Sequence, residues 1–267
     1  MKRRLGIAIL LTIAATLVAG AALVSRTPIR RSLVAAPADS MADLPRVILW
    51  AWERPERLSF INPREVGVAF LARTIYLKND DVIVRSRVQP LEVPPDTRLI
   101  MVVRIESNRS APPALSSGQI SRAVSAILEV PLTGAVRALQ IDFDARESER
   151  EFYRGLLSEL RRQLAPSIRL SITALASWCV SDLWMQGLGV DEAVPMLFRM
   201  GVDGRSILSH VKAGGRFGFD PCRHSVGIST DEPIKDLPPT MRFYVFHPKA
   251  WSEESVRKAL QEVNQWQ

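Results

Sequence analysis

Asp142 and Asp144 stand two residues apart in the segment Leu139-Gln-Ile-Asp-Phe-Asp-Ala145. In a strand that spacing puts both carboxylates on one face, about 6.6 Å apart along the chain. Two carboxylates that close raise the pKa of one of them. Paired carboxylates are also what glycosidic cleavage uses, one protonating the leaving oxygen while the other attacks or activates water. Strand alternation places Gln140 beside them and Leu139, Ile141 and Phe143 on the opposite face. A helix is expected at once: Ser148 and Glu151 make a capping box, Phe152, Leu156, Leu160 and Leu164 recur on one stripe, and Pro166 stops the run. A helix that returns to a parallel sheet covers its outer face. The Leu/Ile/Phe side must therefore meet the helix, and the carboxylates point inward at the C-terminal end of their strand.

Seven further segments read as strands: Val47 to Trp52, Val66 to Ala72, Leu99 to Ile105, Ile168 to Leu175, Ala193 to Arg199, Ser225 to Thr230 and Met241 to Phe246. With Val136 to Phe143 that makes eight. Helices are expected over Ser116 to Val130, Ser148 to Leu164, Val202 to Ala213 and from Ser252 onward. Alternating strands and helices predict an α/β fold with a parallel sheet. Eight strands in a chain of this length predict a (β/α)8, TIM-like barrel. Two irregularities are expected: a β-hairpin insertion after the second strand, around Ile75 to Val84, and no helix between Asp231 and Thr240.

Polar residues late in these strands fall on the face where such barrels build their sites. Arg73, Arg104, Glu106, Asp142, Asp144, Arg199 and Asp231 are expected to form an inward ring. One outcome is a satisfied ion network that plugs the barrel, since buried charges survive only when paired. The other is a pocket in which Arg73, Arg104, Arg199 and Asp231 grip a polar ligand, with Trp52 and Trp178 offering stacking surfaces for sugar rings. In the enzymatic case Asp144 is the candidate nucleophile or base, Asp142 orients it or holds a proton, and Glu106 or Glu232 is the candidate acid. No Walker, Gly-x-Ser-x-Gly or His-Glu-x-x-His pattern occurs. Cys222, His224 and Cys179 lack an evident fourth zinc ligand. No metal and no cofactor are expected.

The 267 residues carry a formal charge of +7, but the charge is localised. Lys2, Arg3, Arg4, Arg26, Arg30 and Arg31 lie in the first 31 residues with no acid, and removing those six cations leaves +1. A nearly neutral domain argues against nucleic acid as a partner. Leu5 to Val24 is free of charge and long enough to span a bilayer. Ala19-Gly20-Ala21 offers a small-residue cleavage site. Residues 1–31 are thus a signal peptide or a transmembrane anchor that contacts the membrane, 32–44 a linker rich in Ala, Ser and Pro, and 45–267 the barrel domain. Either form of the N-terminus predicts a periplasmic location, free or anchored to the inner membrane. Cys179 and Cys222 suit one disulfide in an exported domain, or remain two separate thiols; a bridge requires the Gly214 to His224 loop to climb toward the top of the sheet.

Several blocks resemble a bacterial family known as Domain of Unknown Function 3142: Leu49-Trp-Ala-Trp-Glu-Arg-Pro-Glu56, Gly67-Val-Ala-Phe-Leu-Ala-Arg-Thr74, Leu139 to Ala145, Leu170 to Cys179, Glu192 to Gly201 and Ser229-Thr-Asp-Glu-Pro233. That resemblance implies no established activity. A strand ending in Asp-Phe-Asp also resembles, loosely, the fourth strand of glycoside-hydrolase barrels; the full chitinase-type pattern would place Glu two residues after Asp144, where this chain has Arg146. The expected function is an exported or membrane-anchored barrel that binds a carbohydrate or cell-envelope glycan and, in its enzymatic form, hydrolyses it through strand-end carboxylates. The alternative is a non-catalytic binding or assembly module on a hydrolase-like scaffold.

Overall fold

The computed structural model describes residues 41–131, 134–237 and 241–265. The apolar segment 1–31 and most of the expected linker lie outside the described residues. Residues 41–44 do not behave as linker: Met41 and Leu44 are buried in the barrel interior, so the folded domain starts before residue 45.

Eight parallel strands close into a barrel: β1 (Val47–Ala51), β2 (Val66–Lys78), β3 (Leu99–Ser107), β4 (Val136–Asp142), β5 (Arg169–Leu175), β6 (Glu192–Met196), β7 (Ser225–Ser229) and β8 (Arg242–Phe246). Closure is made by β1, which pairs with β8 on one side and β2 on the other. Helices follow five of the strands: α1 (Ser117–Leu128) after β3, α2 (Arg150–Gln163) after β4, α3 (Ala176–Val180) after β5, α4 (Gly204–Lys212) after β6 and α5 (Glu253–Asn264) after β8. The fold is a TIM-like barrel with missing helices, as the sequence predicts. The hairpin is present too: β2 runs on past the end of β1 and turns into an antiparallel strand, Asp81–Ser86.

Alternation sorts the side chains into two layers. Leu139, Ile141 and Phe143 face outward and pack against α2, joined by Phe152, Leu156 and Leu160 from the helix. Ile48, Trp50, Ala69, Leu71, Ile100, Val102, Ala138, Val194 and Tyr244 fill the barrel itself. Burying each large aliphatic side chain is worth roughly 1.5–3 kcal/mol, so the outer layer supplies most of the stability. Gly227 shows how tightly the inner layer is filled. A Cβ there would lie 3.0 Å from the Trp50 indole, so any larger residue would push against that ring.

Helix starts differ slightly from expectation. Ser116 caps α1, accepting from the Gln119 backbone, as read from the sequence. The Ser148/Glu151 box does not form. Instead a 3-10 turn over Glu147–Glu149 leads into α2, and the Glu149 carboxylate accepts from the Arg146 backbone N–H at 2.8 Å.

Candidate active-site cleft

The lower half of the barrel interior holds a continuous hydrogen-bonded chain. Arg242, the first residue of β8, donates to the Met41 carbonyl (2.6 Å) and pairs with Glu192, the first residue of β6, at 2.7 Å. The other Glu192 oxygen accepts from the Tyr244 hydroxyl (2.6 Å) and from Ser171 (3.2 Å). Ser171 accepts from Gln140 at 3.1 Å, and Gln140 accepts from the Trp50 indole N–H at 3.0 Å. Burial and the neighbouring Glu192 charge push the Tyr244 hydroxyl well above its ordinary pKa, so it stays a donor.

Above Trp50 the barrel opens into a cavity of about 430 Å³ at the C-terminal ends of the strands. Its acidic side is Asp142 and Asp144. Both point inward, sharing a face with Gln140, because the one register shift of β4 against β3 lies at Arg137 and the pairing is regular from Ala138 to Asp142. Asp142 is buried, accepts from Thr173 Oγ1 at 2.7 Å and lies 3.8 Å from Arg104 Nη1. Burial raises its pKa, against the pull of Thr173 and Arg104 and with the help of the charges on Asp144 and Glu106. Asp144 is exposed at the mouth just past the strand end, yet the walls around its carboxyl desolvate it enough to raise its pKa, which Arg104 partly offsets. Among the described residues it accepts no hydrogen bond.

The opposite side is aromatic. Phe198 and Phe246 stack with centroids 5.7 Å apart and planes within 6° of parallel, and Trp50 meets Phe198 edge-on at 6.2 Å. Trp52 joins them, with the Arg104 guanidinium over its ring at 5.6 Å. Arg199 lies over Phe246 at 5.0 Å. A loop from Phe198 to Asp203 completes the rim, and Arg199 within it has a left-handed backbone, φ +52°.

Five of the residues expected at the site lie elsewhere or act otherwise. Arg73 faces outward, donating to the Ala126 carbonyl of α1 and pairing with Glu129 at 3.5 Å. A bulge in β2 between Leu71 and Arg73 is the cause: Leu71 aligns with inward Val102, but Arg73 aligns with outward Val103. Trp178 is buried outside the barrel, edge-on to Trp184 at 5.0 Å, because β5 ends at Leu175 and α3 turns that ring into the outer layer. Glu232 is not a facing acid. Its carboxylate accepts from the Arg199 backbone N–H at 2.9 Å and so holds the left-handed turn of the rim loop. Asp231 does not line the cavity; it accepts from Ser229, which holds its carboxyl below the usual range, and lies 4.0 Å from Arg199. Glu106 sits on the rim, bound to Arg104 Nε at 2.8 Å, and lines a smaller polar cleft beside the main one.

Cys179 and Cys222 form a disulfide, with Cα atoms 6.0 Å apart. The loop carrying Cys222 does climb: Gly218 N–H donates to the Cys179 carbonyl at 2.7 Å. Among the described residues no cluster of His, Cys, Asp and Glu has the arrangement of a metal site.

Residues 96–197 match a family model. It is described as a domain of unknown function, DUF3142, and the matched stretch carries Arg104, Glu106, Asp142, Asp144 and Thr173. The resemblance read in the sequence therefore holds from β3 to β6, while the blocks at 49–56, 67–74 and 229–233 fall outside the match. No curated protein matches the chain. Among solved structures, the chitinase domain of the spore coat protein CotE from Clostridium difficile aligns with a TM-score of 0.41 at 12% identity, covering 69% of this chain. This chain spans 64% of the length of that one. The barrel assignment rests on the strand pairing itself.

Proposed function

We propose that the barrel binds a carbohydrate chain in the cleft and hydrolyses it with Asp144 as the group that reacts. The observation that carries this reading is the pairing of an aromatic wall, Trp52, Phe198 and Phe246, with an acidic wall, Asp142 and Asp144, across one cavity. Sugar rings present apolar faces that stack on aromatic side chains and hydroxyl edges that hydrogen-bond to carboxylates. Asp144 is open to a ligand, and Asp142 beside it has a raised pKa suited to holding a proton near Asp144.

A second reading is favoured by one specific feature. Arg104 is engaged by both Glu106 and Asp142, and Glu232 is tied to the rim loop. Neither glutamate is then free to serve as a separate acid across the cleft, which suits a module that binds glycan without cleaving it. One experiment separates the two. The full-length protein is screened against envelope and exopolysaccharide glycans, with tryptophan fluorescence reporting binding and new reducing ends reporting cleavage. Binding with cleavage supports the enzyme, binding alone supports the module, and no binding to any glycan overturns both.

Export is part of the proposal. The uncharged run Leu5 to Val24 and the Cys179–Cys222 disulfide support a periplasmic location, since disulfides persist in oxidising compartments. Among the described residues no helix is long and apolar enough to cross a membrane. Deleting residues 1–31 is expected to release a folded, soluble domain from the membrane fraction. Aggregation of that truncation would place the segment in the core instead.

A further inference from the structure

The upper half of β2 and the hairpin strand Asp81–Ser86 stand above the point where β1 ends. Phe70 is the last β2 residue paired with β1, at Ala51, and from Arg73 to Lys78 its neighbour on that side is the hairpin strand. The barrel wall is therefore taller here, by a strand of six residues, or roughly 20 Å. Register decides what that wall shows to the mouth. Thr74 aligns with Arg104 and Tyr76 with Glu106, and both partners line the clefts, so Thr74 and Tyr76 share their face. Across the hairpin, Arg85 opposes Thr74 and Ile83 opposes Tyr76, on that same face. Ile75, Leu77 and Val82 pack on the outer side.

The mouth-facing side chains thus form a ledge: half-buried Tyr76 beside exposed Ile83, edged by Arg85 and Glu106. Arg85 also pairs with Glu53, next in sequence to Trp52 of the aromatic wall. Ile83 is 48% exposed, so its side chain is open to a ligand. We infer that this ledge is a second ligand-binding stretch, continuous with the cleft, on which further sugar residues of the same chain lie, so that the protein takes an oligomeric glycan and not a single sugar. The inference rests on the carbohydrate reading of the cleft. Continuity supports one occupant for both: Arg104 reaches into the cleft toward Asp142 while bonding Glu106 on the ledge. An apolar ring and side chain flanked by charged groups repeats, on a flatter scale, the chemistry below it.

The test uses the full-length protein in detergent and size-graded oligosaccharides, mono- to octasaccharide, from peptidoglycan glycan strands and from poly-N-acetylglucosamine, with Kd read from tryptophan fluorescence. Affinity is expected to rise with length beyond the disaccharide. Tyr76→Ala and Ile83→Ser should each weaken the longest bound oligomer about tenfold and leave the disaccharide unchanged. Ile83→Ser, at an exposed site, keeps the test valid if Tyr76→Ala perturbs folding, and Tyr76→Phe should restore the length dependence. A disaccharide that binds as tightly as an octasaccharide, or an Ile83→Ser variant that leaves the length dependence intact, overturns the ledge while sparing the cleft. Failure of every oligomer to bind removes the carbohydrate reading and the ledge together.

Discussion

The lower and upper halves of this barrel are built from the same residue types and treat them oppositely. Below, Glu192 has Arg242, Tyr244 and Ser171, and every one of these groups is packed out of water. Above, Asp142 shares one arginine with Glu106, and Asp144 has no hydrogen-bond partner among the described residues. The lower network closes the barrel floor at Met41 and ends at the Trp50 indole, which is also the base of the cleft. A carboxylate with three partners is held in one position. Asp144, with none, stands at the mouth beside walls that desolvate it. The two ends therefore differ in pairing: the charges of the floor are satisfied within the barrel, and Asp144 at the mouth is not.

The largest effect is expected from cutting the lower network. Glu192→Ala removes the buried carboxylate that pairs with Arg242 and accepts from Tyr244 and Ser171, and removing one member of a buried pair typically costs about 3–5 kcal/mol. Chemical denaturation of the variant should show a loss of about that size. A loss under 1 kcal/mol would mean that the floor does not depend on Glu192 and that the contrast is false. Asp144→Asn is the matching cut above. It removes a charge at nearly constant shape, so turnover should fall about 10²- to 10⁴-fold while the denaturation midpoint does not fall. Unchanged turnover with lowered stability would make Asp144 structural.

A milder change sharpens the comparison on the aromatic side. Phe246→Ala removes half of the stacked pair and the ring beneath Arg199, and ligand affinity measured by calorimetry should drop about tenfold with turnover per bound ligand preserved. An equal loss in both would mean that the wall also positions the reacting bond.

How much of this was legible in the sequence depends on where regularity holds. All eight strands and the inward direction of Asp142 and Asp144 follow from period-2 alternation, and the hairpin from a second apolar run too close for a helix. Arg73 was misplaced because a bulge adds a residue without any mark in the sequence, reversing every face beyond it. Trp178 was misplaced because helix α3 starts directly after Leu175, with no cap to announce it. Glu192 and Arg242 were missed although alternation would have found them: Glu192 shares parity with Val194 and Met196, and Arg242 with Tyr244 and Phe246. Charged residues at strand starts look like solvated ends, and only closure of the barrel shows that the two meet. The same parity brings Phe246 into the cleft, where polar residues alone had drawn attention.

The smallest expected effect is the pH dependence of stability, and it tests whether the mouth carries uncompensated charge. Burial raises both Asp142 and Asp144 above the ordinary carboxylate value of 3.8. Between that value and their native values, the folded protein binds more protons than the unfolded chain, so stability falls as pH rises through the native values. The stabilisation is fully present below about pH 3.8 and gone once both groups are ionised. Asp144→Asn cannot ionise, so it should match the native protein in strongly acidic solution and become the more stable of the two as pH rises to neutrality. Denaturation of the two proteins side by side across that range reads the difference directly. A variant that is instead less stable at neutral pH would show Asp144 to be held by a favourable ion pair, and the mouth would then be as fully paired as the floor.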